Sequence, residues 1–363
     1  MKILRLLLVF VPLAFVAEFV FHSPLLIFAC SAIGLIPLAG LLGEATEELA
    51  IHTGPKVGGL LNASLGNAAE LIITLVALKA GKVELVKASL TGSILGNLLL
   101  ILGLAVLVGG LKNGTQRFDR VAAGTAGTMM LLAVIGLMIP TFFEVVHRIQ
   151  LRQDPLHEMP DPALDRLSIG VAILLILSYA LSLVFTFRSP EQGIGHAVGV
   201  EQGPEEEKHQ AMWSVKTSLL VLVGATVLIV FLSEFLVGTV EAVGHSLGLS
   251  ELFLGIILIP LVGNVAEHLV AVQTAYKNKM ELSMAISLGS SMQIALFVAP
   301  LLALVSLGFS KHMTLFFSPF EVIVLAAAVF IANQIALDGE TNWLEGAQLL
   351  VVYTIAGLGF YWL

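Results

Sequence analysis

Charged side chains are scarce in this chain: 12% of its residues are Asp, Glu, Lys or Arg, while 57% are hydrophobic and the mean hydropathy is +0.97. A soluble domain carries about 25% charged residues, so an ordinary soluble fold is excluded. Cysteine is nearly absent too. Cys30, alone in an apolar run, cannot form an intrachain disulfide and suits a small core position. The 18 Lys and Arg form no basic stripe against 26 Asp and Glu, which argues against a nucleic-acid partner. His-Glu-x-x-His and Gly-x-Ser-x-Gly are missing, and no Asp pair sits within the apolar segments, so an enzyme is not expected and no cofactor is called for.

What remains is a succession of apolar segments, each near or above the ~18–20 residues needed to cross a hydrocarbon core. The expected architecture is an all-α polytopic membrane protein of eleven transmembrane helices. They run at about 5–21, 25–50, 57–80, 84–109, 118–143, 165–187, 213–240, 250–276, 281–308, 316–336 and 344–363. The first apolar run competes with a signal peptide. No small-residue cleavage site follows it, and His22-Ser23-Pro24 reads as a tight turn into the next helix, which favours a first span. Residues 189–211 form an acidic linker containing Glu205-Glu206-Glu207, a solvated tether by its low apolar content. The division is therefore an N-terminal helix (1–23), two five-helix units (24–188 and 212–363) and the linker between them. Eleven Lys and Arg fall in loops on the N-terminal side and seven on the other, which puts the N-terminus in the cytosol. The short N-terminus and single small linker suggest a prokaryotic plasma membrane, and nothing opposes a homo-oligomer.

The two units are copies. Gly66-Asn67-Ala68-Ala69-Glu70 recurs as Gly263-Asn264-Val265-Ala266-Glu267, an offset of 197 residues (66 to 263). At that offset Lys82 matches Lys279, Glu84 matches Glu281, Leu85 matches Leu282, Ala88 matches Ala285, and Gly92-Ser93 matches Gly289-Ser290. The repeated motifs lie in the third and eighth spans. An odd separation makes the copies cross in opposite directions, the inverted-repeat design that sets a substrate site near the bilayer midplane.

A carboxylate in mid-span costs about 2.5–3.5 kcal/mol on an insertion scale. Glu70 and Glu267 therefore need a cation, a proton or a partner. Gly, Asn and Glu at these spacings share one face of a turn, and Gly eases unwinding that would free carbonyl oxygens. Two carboxylates with Asn67 and Asn264 suit a hard divalent cation such as Ca2+, which takes oxygen ligands in flexible geometry. Ser93, Ser290, Asn97 and Gln293 offer further neutral oxygens, although the two serines serve helix packing equally well. His268 is suited either to relaying protons or to a plain interhelical hydrogen bond. Glu44, Glu47, Glu48, Glu234 and Glu241 lie towards span ends, and Glu44 and Glu241 again differ by 197. A matched role for Glu44, Glu47, Glu234 and Glu241 in ion access follows.

With Pro37-Leu38-Ala39-Gly40 and Gly43-Glu44-Ala45-Thr46-Glu47 upstream, these motifs resemble the two α-repeats of the cation/proton exchanger (CAX) family. That family belongs to the Ca2+/cation antiporter superfamily, and the likeness covers nearly the whole chain. It implies alternating access in which Glu70 and Glu267 bind Ca2+ and H+ in turn, with the second and seventh spans as moving gates. The resembling Na+/Ca2+ exchangers commonly carry a further acid near Gln293-Ile294. Its replacement here leaves separate Na+ sites poorly provided for and points to the proton as counter-ion. Exchange of Na+, Mn2+ or Mg2+ on the same scaffold, and a cation channel, stay open as alternatives.

Overall fold

The computed structural model describes residues 5–152, 161–188 and 211–363, so the acidic stretch Ser189–Gln210 lies outside the described residues. The described chain is almost wholly helical. Among the described residues nine helices are long and apolar enough to cross a membrane: α2 (Pro24–Thr53), α5 (Val83–Asn113), α6 (Arg120–Leu151), α7 (Pro162–Thr186), α8 (Val215–Leu247), α9 (Glu251–Tyr276), α10 (Met280–Ser306), α11 (Pro319–Ala336) and α12 (Trp343–Trp362). A shorter apolar helix, α1 (Leu7–Phe21), precedes them. The segment expected to be a third unbroken span is instead two helices, α3 (Pro55–Leu65) and α4 (Ala68–Lys79), parted at Gly66-Asn67.

Local chemistry explains the boundaries. His22 adopts a left-handed φ of 51°, closing α1 in the turn foreseen there, and Pro24 starts α2 where its missing N–H costs nothing. Ser214, Ser250, Ser318 and Asn342 cap α8, α9, α11 and α12 through their side chains. Helix α6 runs past the expected end near residue 143, because Glu144 and Arg148 bond to each other one turn apart and so enter the interior as a neutralised pair.

Two helices form the centre. α5 and α10 bury 72% and 78% of their apolar windows, against 22% for α12, so the others wrap them. Each central helix carries a π-helical segment at the equivalent place, Gly96–Ile101 and Ile294–Val298, directly after its run of buried polar residues. Helices α2 and α8 pack along their length, closely enough at Gly34 that a Cβ there would lie 2.8 Å from Leu232. Helix α1 rests on this pair, with Phe15 edge-on to Phe235 at 5.2 Å. A two-stranded antiparallel ribbon, β1 (Gln116–Arg117) with β2 (Glu340–Thr341), ties the α5–α6 loop to the α11–α12 loop, with Gln116 opposite Thr341.

Candidate ion-binding site

The break at Gly66-Asn67 puts Asn67 at the start of α4 and Glu70 in its first turn, both buried. Across from them the second copy behaves differently. Gly263-Asn264 stays helical within α9, and the irregularity moves upstream to a π-helical segment at Leu254–Leu258. The unwinding that Gly-Asn permits is thus realised in one copy and not in its twin.

The paired residues meet. Ser93 on α5 donates to the Glu70 carboxylate and accepts from the Asn264 amide at 3.3 Å. Its twin Ser290 on α10 lies beside Glu267 and donates to Asn67 Oδ1 at 2.9 Å. Each serine therefore stands between the glutamate of its own repeat and the asparagine of the other. Asn67 Nδ2 donates to Gln293 Oε1 at 2.7 Å, and Asn97 Nδ2 donates to Ser290 Oγ at 3.0 Å. His268 Nε2 lies 3.1 Å from Asn97 Oδ1, which can only accept, so the ring proton is assigned to Nε2 and Nδ1 is left as an unpartnered acceptor. Glu70 and Glu267 are within electrostatic reach of each other.

One oxygen of each glutamate, Glu70 Oε2 and Glu267 Oε2, is buried without a hydrogen-bond partner. Buried orphans of this kind are rare because each costs about 1–3 kcal/mol, more for charged groups. Both glutamates line a cavity of about 250 Å3 together with Asn67, Asn264, Ser290 and Gln293. Ser93, Asn97 and His268 stand behind that wall rather than in it; Ser93 and His268 border a smaller hollow of about 10 Å3.

The cavity extends past Glu44 and Glu47 on α2. Arg5 grips Glu44 through both carboxylate oxygens, at 2.9 and 3.0 Å, while Glu48 turns away to accept from the Trp213 backbone at 3.0 Å. Glu234 and Glu241 are not in the cavity. They occur on α8, where Glu241 meets Lys82 at 3.1 Å and Glu234 meets Lys79 at 3.8 Å. The four expected access residues thus divide into two that line an open cavity and two that join a closed face.

Two groups escaped the sequence argument. Asn62, a polar residue one turn before the break, lines the cavity; its place in an apolar run was the available signal. Glu321 is buried at the start of α11, accepting from Thr91 at 2.8 Å and closing a capping box with Ser318. Nearby, Lys87 is buried over the Phe316 ring. Elsewhere among the described residues Glu144, His147 and Asp161 gather within 4.8 Å. Arg148 already bonds Glu144, and His147 bonds Asp161 at 2.8 Å, so both acids of that cluster already have partners.

Comparison with known proteins agrees in extent and kind. The family described as sodium/calcium exchanger protein matches residues 23–188 and 217–362. A Ca(2+)/H(+) antiporter of Synechocystis sp. is 42% identical, covering 99% of this chain and 97% of its own length. The Ca(2+)/H(+) antiporter ChaA of Bacillus subtilis is 41% identical over 97% and 96%. Among solved structures, the Ca2+/H+ antiporter protein YfkE superposes with a TM-score of 0.83 at 38% identity, covering all of both chains. An H+/Ca2+ exchanger, CAX, superposes at 0.67 with 16% identity over 99% of this chain and 91% of its own, a likeness of fold.

Proposed function

The chain belongs to the sodium/calcium exchanger protein family, within it to the cation/proton exchangers, and on that footing we propose that it exports Ca2+ from the cytosol in exchange for H+. The observation that carries the proposal is the pair of partly unsatisfied carboxylates, Glu70 buried and Glu267 half-buried, facing one cavity. An arrangement of oxygens alone, from two acids and several amides and hydroxyls, suits a hard cation. When Ca2+ leaves, two like charges in a dry site cannot both persist, and protons take its place. When Ca2+ returns it needs the ionised pair and expels them. Only the loaded forms are neutralised enough to cross, so the two fluxes are locked together.

Eleven crossings follow if α1 and the broken α3–α4 each make one beside the nine long helices. The contacts between loops and helix ends support that count, because they sort into two faces. Arg5–Glu44, Lys112 with Tyr276, Trp213 with Glu48 and the β1–β2 ribbon belong to the N-terminal face. Lys82 with Glu241 and Glu251, and Lys79 with Glu234, belong to the opposite one. The two five-helix units are then inverted repeats. With the N-terminus in the cytosol of a prokaryotic cell, the cavity beside Glu44 and Glu47 opens inward.

The test is radiolabelled Ca2+ uptake into proteoliposomes with a luminal pH dye. Uptake is expected to follow an imposed pH gradient, acid inside, to alkalinise the lumen in step as H+ leaves, and to vanish in Glu70→Gln and Glu267→Gln. Uptake driven by a Na+ gradient instead would favour the sodium-coupled alternative, and uptake without any counter-gradient would favour a channel. Robust proton-coupled uptake by either variant would remove the role given to that glutamate.

A further inference from the structure

The face opposite the cavity is sealed by contacts whose repeat counterparts are apart. At the seal Lys82 meets Glu241 at 3.1 Å. Gly255 of α9 lies against α5 so closely that a Cβ there would stand 2.6 Å from Ala88 and 3.1 Å from Leu85. The site-facing wall above is tight as well: Ile73 on α4 is 3% exposed.

Adding or subtracting the repeat offset of 197 turns these residues into Lys279, Glu44, Gly58, Ala285, Leu282 and Val270. None of those contacts exists here. Glu44, Leu282, Ala285 and Val270 all line the cavity, and Val270 is 42% exposed where its twin Ile73 is buried. Gly58 is packed instead on the Ala50 backbone of α2, where a Cβ would meet the carbonyl oxygen at 2.5 Å. Lys279 is exposed, and among the described residues no ion pair is recorded for it. The same residues thus make a seal on one face and the walls of an opening on the other.

Resting on the alternating-access reading above, we propose that the outward-open state is latched on the cytosolic side by Lys279 pairing with Glu44 and Gly58 seating on Leu282 and Ala285. The outer seal built from Lys82, Glu241, Gly255, Leu85 and Ala88 is released at the same time. The exchange has a mechanical route in this chain because α3, which carries Gly58, is already a separate helix below the break at Gly66-Asn67. Glu44 changes partner in the process. Its present partner Arg5 belongs to the N-terminal helix, outside both repeats, and so has no counterpart in the second copy. Arg5 therefore stabilises the inward-open state alone, as does Glu251, the second acid on Lys82, whose counterpart is Gly54; both weight the exchange inward.

The test reads conformation rather than flux, so it stands or fails separately from the Ca2+/H+ assignment. In a Cys30→Ala background, Ile73→Cys is labelled from outside by a membrane-impermeant thiol reagent, at a rate set by the outward-open population. Glu241→Gln is expected to raise that rate and Lys279→Gln to lower it, each about threefold to fivefold for a part-exposed ion pair. The double variant returns to the parent rate, Lys279→Arg leaves it unchanged, and Arg5→Gln raises it. Lys279 lies on the other side of the membrane from the reporter, so its effect can travel only through the conformational change. A labelling rate that Lys279→Gln leaves alone or raises, or that no variant moves, overturns the latch.

Discussion

Gly92 offers a perturbation whose size can be worked from the coordinates. A Cβ at this position of α5 would lie 2.0 Å from the Ile256 carbonyl oxygen, 2.6 Å from its carbon and 2.7 Å from its Cα on α9. All three are backbone atoms, so no rotamer change makes room. Ordinary contact begins at 3.4 Å, and Gly92→Ala therefore asks α5 and α9 to separate by about 1.4 Å at this point (3.4 less 2.0). Overpacking of this kind costs about 1–3 kcal/mol. That penalty falls on the state in which α5 and α9 are sealed; the state in which they part escapes it. A difference of that size moves a two-state equilibrium about 5–150-fold. Outside labelling of Ile73→Cys should accelerate by that factor while outward-open molecules remain a minority. Gly289→Ala is the matched control, since Gly289 lines the cavity. It should slow labelling by obstructing closure of the cytosolic side. If Gly92→Ala lowered the melting temperature yet left labelling unchanged, the clash would be relieved inside the sealed state and the argument would fail.

Further outcomes follow from groups already described. Arg148→Met strands the fully buried Glu144 and should cost about 3–5 kcal/mol of stability, read by thermal melting in detergent, whereas Glu144→Leu with Arg148→Met should melt near the parent. Equal melting of all three would show the pair is not buried as described. Gln293→Ala leaves the Asn67 amide without its acceptor, a penalty of about 1–3 kcal/mol that should weaken apparent Ca2+ affinity roughly tenfold in uptake assays. An unchanged affinity would separate Asn67 from the ion. The Ala163 backbone N–H first, and the His147 ring after it, hold the Asp161 carboxyl below the usual carboxylate range. A lowered value stabilises the fold above the unfolded-state titration near about pH 3.9, and that contribution is lost as pH falls through the folded value. Asp161→Asn should therefore melt below the parent at pH 6 and converge with it in strong acid; a gap independent of pH would contradict this.

The sequence exposed most of the central cluster because duplication prints a site twice. Glu70, Glu267, Asn67, Asn264, Ser93, Ser290, Asn97 and Gln293 were all marked by the 197-residue offset or by polarity in an apolar run, and the fold brings them into one hydrogen-bonded group. What the offset could not reveal is where equal sequences take unequal shapes. Gly66-Asn67 interrupts a helix and Gly263-Asn264 does not, although the motif itself is the same. Glu44 and Glu241 likewise looked alike and have different partners. Lys87 is buried near Glu321, a glutamate far along the chain, and only tertiary contact shows that arrangement.

The interrupted third crossing also determines how thick a barrier each gate has to be. Helices α3 and α4 have 11 and 12 residues, and neither alone is long enough to traverse the membrane. At 1.5 Å per residue they reach about 16 Å and 18 Å, roughly half of a ~30 Å hydrocarbon layer apiece. On the proposed reading an ion held beside Asn67 lies about midway, so the sealed face has only the other half of the layer to plug. Such a thin plug can be made or undone by moving a short helix by a few ångströms, without any span having to slide the full width of the bilayer.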